Sequence, residues 1–359
     1  VLILDSAYGD DEAIVREMSE RGLSSVISIA PDFSDKISVG ERGSISSYYI
    51  FSGAGIFSNL SSEIGVVMLS FINTGMSSIL IGENIDDPSP DVAFLQNPVD
   101  YSLEYTSVGG TVHAGVNPYQ ISSALMSQTM TVPIIIMIII VMIGSIVISS
   151  MGNEKENKTL ETLLTLPVKR TTIVSGKLIA SAIVGLVFGI MYMIGMSFYM
   201  NSMTASVGGM DLSELGLSLS VFDWMLMGVM IFLTIMSALG MCMIMGAFVK
   251  NYKSAQMMTF PISLLAMIPM FITMFIGWDS LPAVGQAVLF AIPFTHPMMG
   301  MTNLMFGDDL LVIAGIAYLL IFSLTMIYLT VRLYKSDILL TGLGSTRLMR
   351  SLKKAKSRR

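Results

Sequence analysis

Two hydrophobic patterns divide the chain. Up to about residue 127, short apolar segments alternate with polar ones, whereas five later stretches are apolar throughout and contain no Asp, Glu, Lys, Arg or His. A helix rises 1.5 Å per residue, so about 20 apolar residues cover the roughly 30 Å of hydrocarbon in a bilayer. Each of the five stretches is long enough to do so. We therefore predict membrane spans at about 130–151, 178–200, 224–249, 257–277 and 310–331.

A sixth apolar stretch, residues 281–306, is interrupted by prolines. It has no ionisable side chain except that of His296, and it contains Pro282, Pro293 and Pro297. Proline costs roughly 3 kcal/mol in a helix interior because it lacks an N–H and clashes with the preceding turn. We predict two short helices that break near Pro293 and form a re-entrant pair, since irregular backbone is tolerated at membrane depth where protein covers it.

The first 127 residues have the pattern of a water-exposed α/β domain. Alternating apolar and polar positions predict strands at 25–29 and 45–51. The other elements predicted here are a short strand at 1–4, helices at 10–21 and 56–81, and a turn-rich link at 86–98, where three prolines lie.

Composition and charge indicate where these parts lie. Charged residues make up only 13% of the chain, against about 25% in soluble domains, which argues against a soluble globular protein. The connections 152–177 and 250–256 and the C-terminal tail carry Lys and Arg, whereas 201–223 and 278–309 carry none. Because basic loops stay in the cytoplasm, these loops and the tail are predicted inside, and the N-terminal domain outside.

The sequence thus predicts a mainly α-helical polytopic membrane protein with five transmembrane helices and a re-entrant helical pair. Its predicted parts are an N-terminal extracellular α/β domain at 1–127, a transmembrane domain at 128–334 and a basic cytoplasmic tail at 335–359. The extracellular part is acidic, with 16 Asp and Glu against 4 Lys and Arg. We interpret this surplus as a solvated surface that keeps the domain soluble.

No catalytic, cofactor-binding or metal-binding motif is found. The single cysteine, Cys242, excludes an intrachain disulfide, and two histidines are too few for most His-based metal sites. Gly176-Lys177 lacks the first glycine of a P-loop. The 32 methionines leave open a soft-metal path, although pliable apolar filling explains them as well. Nothing in the sequence predicts a nucleic-acid partner.

The segment after the first predicted span carries the most specific pattern. Residues 153–167 read NEKENKTLETLLTLP, with three leucines on one helical face, and residues 173–177 read IVSGK. This pattern resembles the cytoplasmic E-x-E-x-x-T-L-E-x-L-L-x-x-P-V and I-x-x-G-K stretches of type-2 ABC transporter permeases. Residues 27–40 are similar to a motif of that family's extracellular domain. Residues 292–298 resemble the I-P-F-T-S-P of its sodium-exporter-like members, with His296 in place of the usual serine.

The resemblance implies a non-catalytic permease subunit of an ATP-driven exporter in the cell membrane. It implies a homodimer or heterodimer of permeases, surrounded by lipid, and a separate cytoplasmic ABC ATPase that holds ATP and Mg. Family members have six spans, one of them before the extracellular domain, and by this resemblance the sequence that begins at Val1 lacks that first span. The residues expected to couple to the ATPase are Glu154, Glu156, Leu160, Glu161, Leu163, Leu164 and Pro167. Those expected to line the outer mouth of the pathway are Pro293, Phe294, Thr295, His296 and Pro297.

Other functions stay open on the sequence alone. One is a membrane-anchored sensor whose extracellular domain binds a ligand, although so many spans exceed what an anchor needs. Another is a secondary transporter, although such carriers usually place ionisable groups at membrane depth and the five spans have none. Residues 153–167 could also be an interfacial helix that only anchors its loop. The substrate is undetermined and could be sodium, a drug, a lipid or a peptide.

Overall fold

The structure is a computed structural model, and it describes residues 11–51, 53, 55–58, 60–83, 92–159, 170–204 and 215–335. The chain forms two compact units. The first consists of Val1–Thr129, Ser206–Leu217 and Phe275–Leu281, and the second of Met130–Ala205, Ser218–Met274 and Pro282–Arg359.

The first unit contains a four-stranded sheet. Its strands lie in chain order: β1 (Ser25–Ile29), β2 (Gly43–Ile50), β3 (Val99–Val108) and β4 (Thr111–Ala114). The outer pairs, β1 with β2 and β3 with β4, are antiparallel, whereas β2 and β3 are parallel. A parallel pair needs a long crossover connection, and the residues between β2 and β3 provide one.

Among the residues that the structure describes, four helices accompany this sheet: α1 (Asp11–Arg21), α2 (Phe33–Ser38), α3 (Leu60–Glu83) and α4 (Val92–Gln96). Side chains alternate along β2, so its two faces meet different helices. Tyr48 packs with Val15 and Met18 of α1. Ile45 packs on the opposite face with Leu69 of α3. The sheet is therefore covered by α1 on one face and by α3 on the other.

Seven further helices follow within the described part of the chain. They are α5 (Pro118–Glu156), α6 (Arg170–Thr204), α7 (Val221–Phe248), α8 (Tyr252–Phe275), α9 (Ala283–Phe290), α10 (Thr295–Met305) and α11 (Asp309–Lys335). Ser220 begins α7 with a capping box, in which Ser220 Oγ accepts from the N–H of Asp223 and the Asp223 carboxylate accepts from the N–H of Ser220. Glycine allows close approach between α6 and α7, where Gly185 faces Ile235.

Six of the described helices are long and apolar enough to cross a membrane. Five of them, within α5, α6, α7, α8 and α11, overlap the five spans predicted from the sequence. The mainly helical, multi-pass membrane architecture is thereby confirmed. The sixth is Ser62–Gly82 in α3, which the sequence analysis assigned to the N-terminal domain and which packs against the sheet. The number of crossings and the extracellular placement of this domain stay predictions.

The segment 281–306 forms two short helices, α9 and α10, with residues 291–294 between them. The break lies where Pro293 was expected to cause it. Among the elements of the N-terminal domain, α1, β1, β2 and α3 lie at or close to their predicted positions, whereas β3 and β4 were not predicted. The strand predicted at 1–4 and residues 160–167 of the 153–167 segment lie outside the described residues.

Candidate functional site

The end of α5 carries three consecutive charged residues, Glu154, Lys155 and Glu156, which we call the α5 junction. Glu154 forms an ion pair with Lys177 of α6. Both side chains are 23% exposed, so the pair is partly shielded from water. It fixes the end of α5 to α6, the helix that follows the connecting loop.

The other two junction residues reach the connection between α7 and α8. The ammonium group of Lys155 donates to the carbonyls of Ala247 (2.5 Å) and Val249 (2.9 Å). The backbone N–H of Tyr252, the first residue of α8, donates to the carboxylate of Glu156 (2.9 Å). Three adjacent side chains of α5 thus contact three other helices or their ends.

The charges of the junction match the helix ends that they meet. The last carbonyls of a helix lack internal partners and carry partial negative charge, which Lys155 complements at the end of α7. The first N–H groups of a helix carry partial positive charge, which Glu156 complements at the start of α8. The order Glu-Lys-Glu therefore holds the C-terminus of one helix and the N-terminus of the next at the same end of α5.

A groove of about 520 Å³ lies beside the junction. Its lining is mostly hydroxyl, amide and carboxylate groups and consists of Ile146, Ser149, Ser150, Asn153, Glu154, Asn157, Thr159 and Tyr252. Such a surface offers hydrogen bonds to a partner that approaches from this end of the helices.

The structure describes only part of the coupling segment that the sequence predicted. Glu154 and Glu156 lie together at the α5 junction, and both carboxylates have partners within the chain. The remaining coupling residues lie outside the described residues; they are Leu160, Glu161, Leu163, Leu164 and Pro167. The sequence analysis did not single out Lys155, because its hydrogen bonds to α7 depend on a contact 92 residues away along the chain.

The residues predicted to line an outer mouth are all buried: Pro293, Phe294, Thr295, His296 and Pro297. His296 is held on several sides. Its Nε2 lies 3.0 Å from the carbonyl oxygen of Phe290, and since a carbonyl only accepts, Nε2 donates. Its ring meets that of Phe290 edge to face, at 4.7 Å between centroids, and that of Tyr318 at 5.1 Å.

Helix α10 also holds buried polar atoms without hydrogen-bond partners among the described residues. They are Thr295 Oγ1, His296 Nδ1 and Asn303 Nδ2. Buried polar groups are usually paired, so each exception calls for an explanation. Three such unpartnered polar atoms on one helix of 11 residues distinguish α10 from a helix that only packs in the core. The role of these residues in a translocation pathway nevertheless stays a prediction.

Helix α10 packs against both α7 and α11 at glycines. Met230 of α7 covers Gly300, where a methyl group would lie 2.7 Å from the methionine sulfur. Gly315 of α11 faces the ring of His296 just as closely. The helix is therefore fixed between two long apolar helices. Among the described residues, no group of His, Cys, Asp or Glu could hold a metal ion.

Comparison with known proteins identifies the family. No curated protein and no solved structure matches the chain significantly. A family model described as "ABC-2 family transporter protein" matches residues 4–332, which cover both units and all the helices described above except the last three residues of α11. The chain therefore belongs to the ABC-2 family of transporter proteins, and it is a membrane permease subunit of an ABC transporter.

Proposed function

We propose that this permease exports its substrate, using ATP that a separate cytoplasmic ATPase hydrolyses. The ATPase docks at the end of the helices where the α5 junction lies. The permease works as a homodimer or heterodimer and contributes no catalytic residue of its own. ATP and Mg are held by the ATPase.

The α5 junction is the observation that supports this proposal most directly. An ATPase in another chain can drive transport only through a contact that moves several spans together. The loop that follows the junction leads from α5 to α6, and the junction itself contacts α6, the end of α7 and the start of α8. A force applied to this loop would therefore reach four helices through three adjacent side chains.

The charge of the connecting loops supports the proposed orientation. The junction lies at the start of the basic connection 152–177 and contacts the basic connection 250–256 through Tyr252. Because basic loops stay in the cytoplasm, we place the junction on the cytoplasmic side. A helix of 24 residues such as α8 is about 36 Å long, which is enough to separate the two sides of a bilayer.

Within the membrane unit, we assign α10 to the translocation pathway. Its three unpartnered polar atoms, on Thr295, His296 and Asn303, lie in a surrounding of mostly apolar side chains. Polar groups inside membrane segments are costly and are commonly retained for function. They would become available to a substrate if α10 moved relative to α7 and α11 during the ATPase cycle.

The test is coupling in proteoliposomes that contain the permease and its ATPase. Lys155→Met removes two hydrogen bonds from an ammonium group, each worth roughly 1.5–3 kcal/mol in proteins. We expect the assembled complex to hydrolyse ATP without substrate stimulation and to lose transport at least tenfold. The matched control is Lys253→Met, which removes an exposed lysine from the same cytoplasmic end and should leave both activities unchanged.

Further measurements separate coupling from stability and establish direction. Lys155→Arg should restore most of the coupling, because its guanidinium can still donate to the ends of α7. Inside-out and right-side-out vesicles, with sodium, drugs, lipids and peptides as candidate substrates, determine the direction of transport. Full substrate-stimulated activity in Lys155→Met, equal to that of Lys253→Met, would show that the junction does not transmit force. Uptake into right-side-out vesicles would overturn export.

A further inference from the structure

Helix α3 has two different faces. Its inner face is fixed to the sheet. Gly65 lies against the ring of Tyr49, and Leu69 lies in the core. The side-chain oxygen of Asn73 accepts from the N–H of Val99 (3.2 Å). Its outer face carries exposed apolar side chains at helical spacing, which we call the α3 stripe. The stripe consists of Leu60, Ile64, Val67 and Phe71, which are 51% or more exposed, and Phe71 reaches 71%.

The stripe is unusual for a helix that covers a sheet in water. Such helices normally present charged and polar side chains on the outer face. In the 24 residues of α3, the charged ones are Glu63 and Glu83, and neither belongs to the stripe. Residues Ser62–Gly82 are apolar enough in composition to span a membrane, as α8 is. Yet α3 cannot be surrounded by lipid, because its inner face holds the sheet. Only the outer face is available to an apolar medium.

The start of α3 lies next to the end of a membrane span. Phe57 donates its N–H to the carbonyl of Phe275, the last residue of α8, and the two rings stack with centroids 5.6 Å apart. Ser58 Oγ donates to the carbonyl of Ile276 (2.8 Å). Three residues of chain extend at most about 10 Å, so Leu60, the first residue of the stripe, lies within that distance of Phe57.

Phe57, which precedes the stripe, adds to its apolar surface, since its side chain is 57% exposed. Helices that lie at the bilayer surface bury their apolar side about 5–10 Å deep. The side chains of the stripe offer no hydrogen bonds, whereas protein interfaces form about one per 100–200 Å².

From these contacts we propose that the α3 stripe, together with Phe57, lies against the bilayer leaflet that surrounds the Phe275 end of α8. The occupant of this face is lipid. The stripe would then fix the sheet to the membrane surface. The proposal does not depend on the direction of transport or on the ATPase.

Spin labels on single added cysteines test the proposal in the full chain reconstituted in phosphatidylcholine liposomes. The native Cys242 is fully buried, and labelling of the unmodified chain measures its background. Phe71→Cys and Ile64→Cys report on the stripe. The matched control is Val39→Cys, because Val39 in the same domain is also 71% exposed. Collision rates are measured with oxygen, which concentrates in lipid, and with a water-soluble nickel chelate.

We expect the ratio of oxygen to nickel collisions to be at least fivefold higher at both stripe positions than at Val39. The stripe has no charge, so the ratio should not change at high salt or on addition of anionic lipid. A ratio equal to that of Val39 would place the stripe in water and overturn the proposal. Low collision rates with both reagents, together with dipolar broadening between labels, would assign the stripe to a second copy of the chain and overturn it as well.

Discussion

Adding one methyl group at Gly315 should destabilise the protein, because the position faces the buried ring of His296. A β-carbon at residue 315 would lie 2.7 Å from His296 Nδ1 and 3.3 Å from its Cγ, both shorter than ordinary van der Waals contact. The ring cannot easily move away. It is fully buried, it donates to the carbonyl of Phe290, and the ring of Tyr318 lies 5.1 Å away. Gly315→Ala therefore forces either the ring or α11 to shift.

Two opposing terms determine the size of the effect. Overpacking of a fixed core costs about 1–3 kcal/mol. Replacing glycine by alanine inside a helix gains about 0.5–1 kcal/mol, because the unfolded chain loses freedom. Gly195→Ala in α6 isolates the second term, since a β-carbon there meets no atom within 4 Å. The difference between the two variants should therefore be about 1–3 kcal/mol in the free energy of unfolding.

The assay is thermal unfolding of the purified protein in detergent, followed by intrinsic fluorescence. With roughly 2 °C per kcal/mol for a chain of this size, Gly315→Ala should melt about 2–6 °C below Gly195→Ala. Removing the ring should relieve the clash. In a double-mutant cycle with His296→Ser, we expect a favourable coupling of about 0.5–3 kcal/mol. If Gly315→Ala melted with or above Gly195→Ala, α10 and α11 would not approach as closely as the 2.7 Å distance at His296 requires.

Three other substitutions test separate contacts. Glu154→Lys should lower the unfolding free energy by about 1–3 kcal/mol, since the pair with Lys177 is partly buried. The double variant with Lys177→Glu should recover most of the lost stability. A melting temperature of the double variant that stays low would refute the pairing. Gly185→Ala should melt below Gly176→Ala, because the first faces an isoleucine of α7 and the second faces open space. Burial raises the pKa of Glu104 in the N-terminal domain above its usual 4.5. The folded state then binds this proton more tightly, so its stabilising contribution is complete below pH 4.5 and is lost as the pH rises through the folded-state pKa. Glu104→Gln should therefore raise the melting temperature at pH 7 but not at pH 4, and an equal change at both would contradict the burial.

Short-range patterns predicted the elements whose signal lies in their own sequence. The five spans need only about 20 apolar residues each, and the break between α9 and α10 needs only proline near residue 293. Strands β3 and β4 were missed although residues 101–106 alternate and Gly109-Gly110 is a typical hairpin connection. The sequence therefore contains the pattern of this hairpin, and no long-range contact was needed to predict it.

The candidate site was less predictable, because its contacts join residues far apart in the chain. The charges of Glu154, Lys155 and Glu156 can be read from the sequence, as can the basic character of their loop. That Lys155 meets the end of α7 and Glu156 the start of α8 depends on how the helices pack. The burial of His296 likewise depends on α7 and α11, which approach at glycines whose importance no local pattern shows.

The sequence by itself determined the membrane class, the positions of the spans and the family motifs, because hydropathy and short motifs are local properties. The tertiary structure alone decided which charges become partners and which apolar surfaces stay exposed. Helix α3 shows the difference: its composition allows a membrane span, yet contacts of Leu69 and Asn73 with the sheet fix one face and leave only the other available to lipid. Such a division cannot be read from hydropathy, because a mean value along a helix does not record what each side touches.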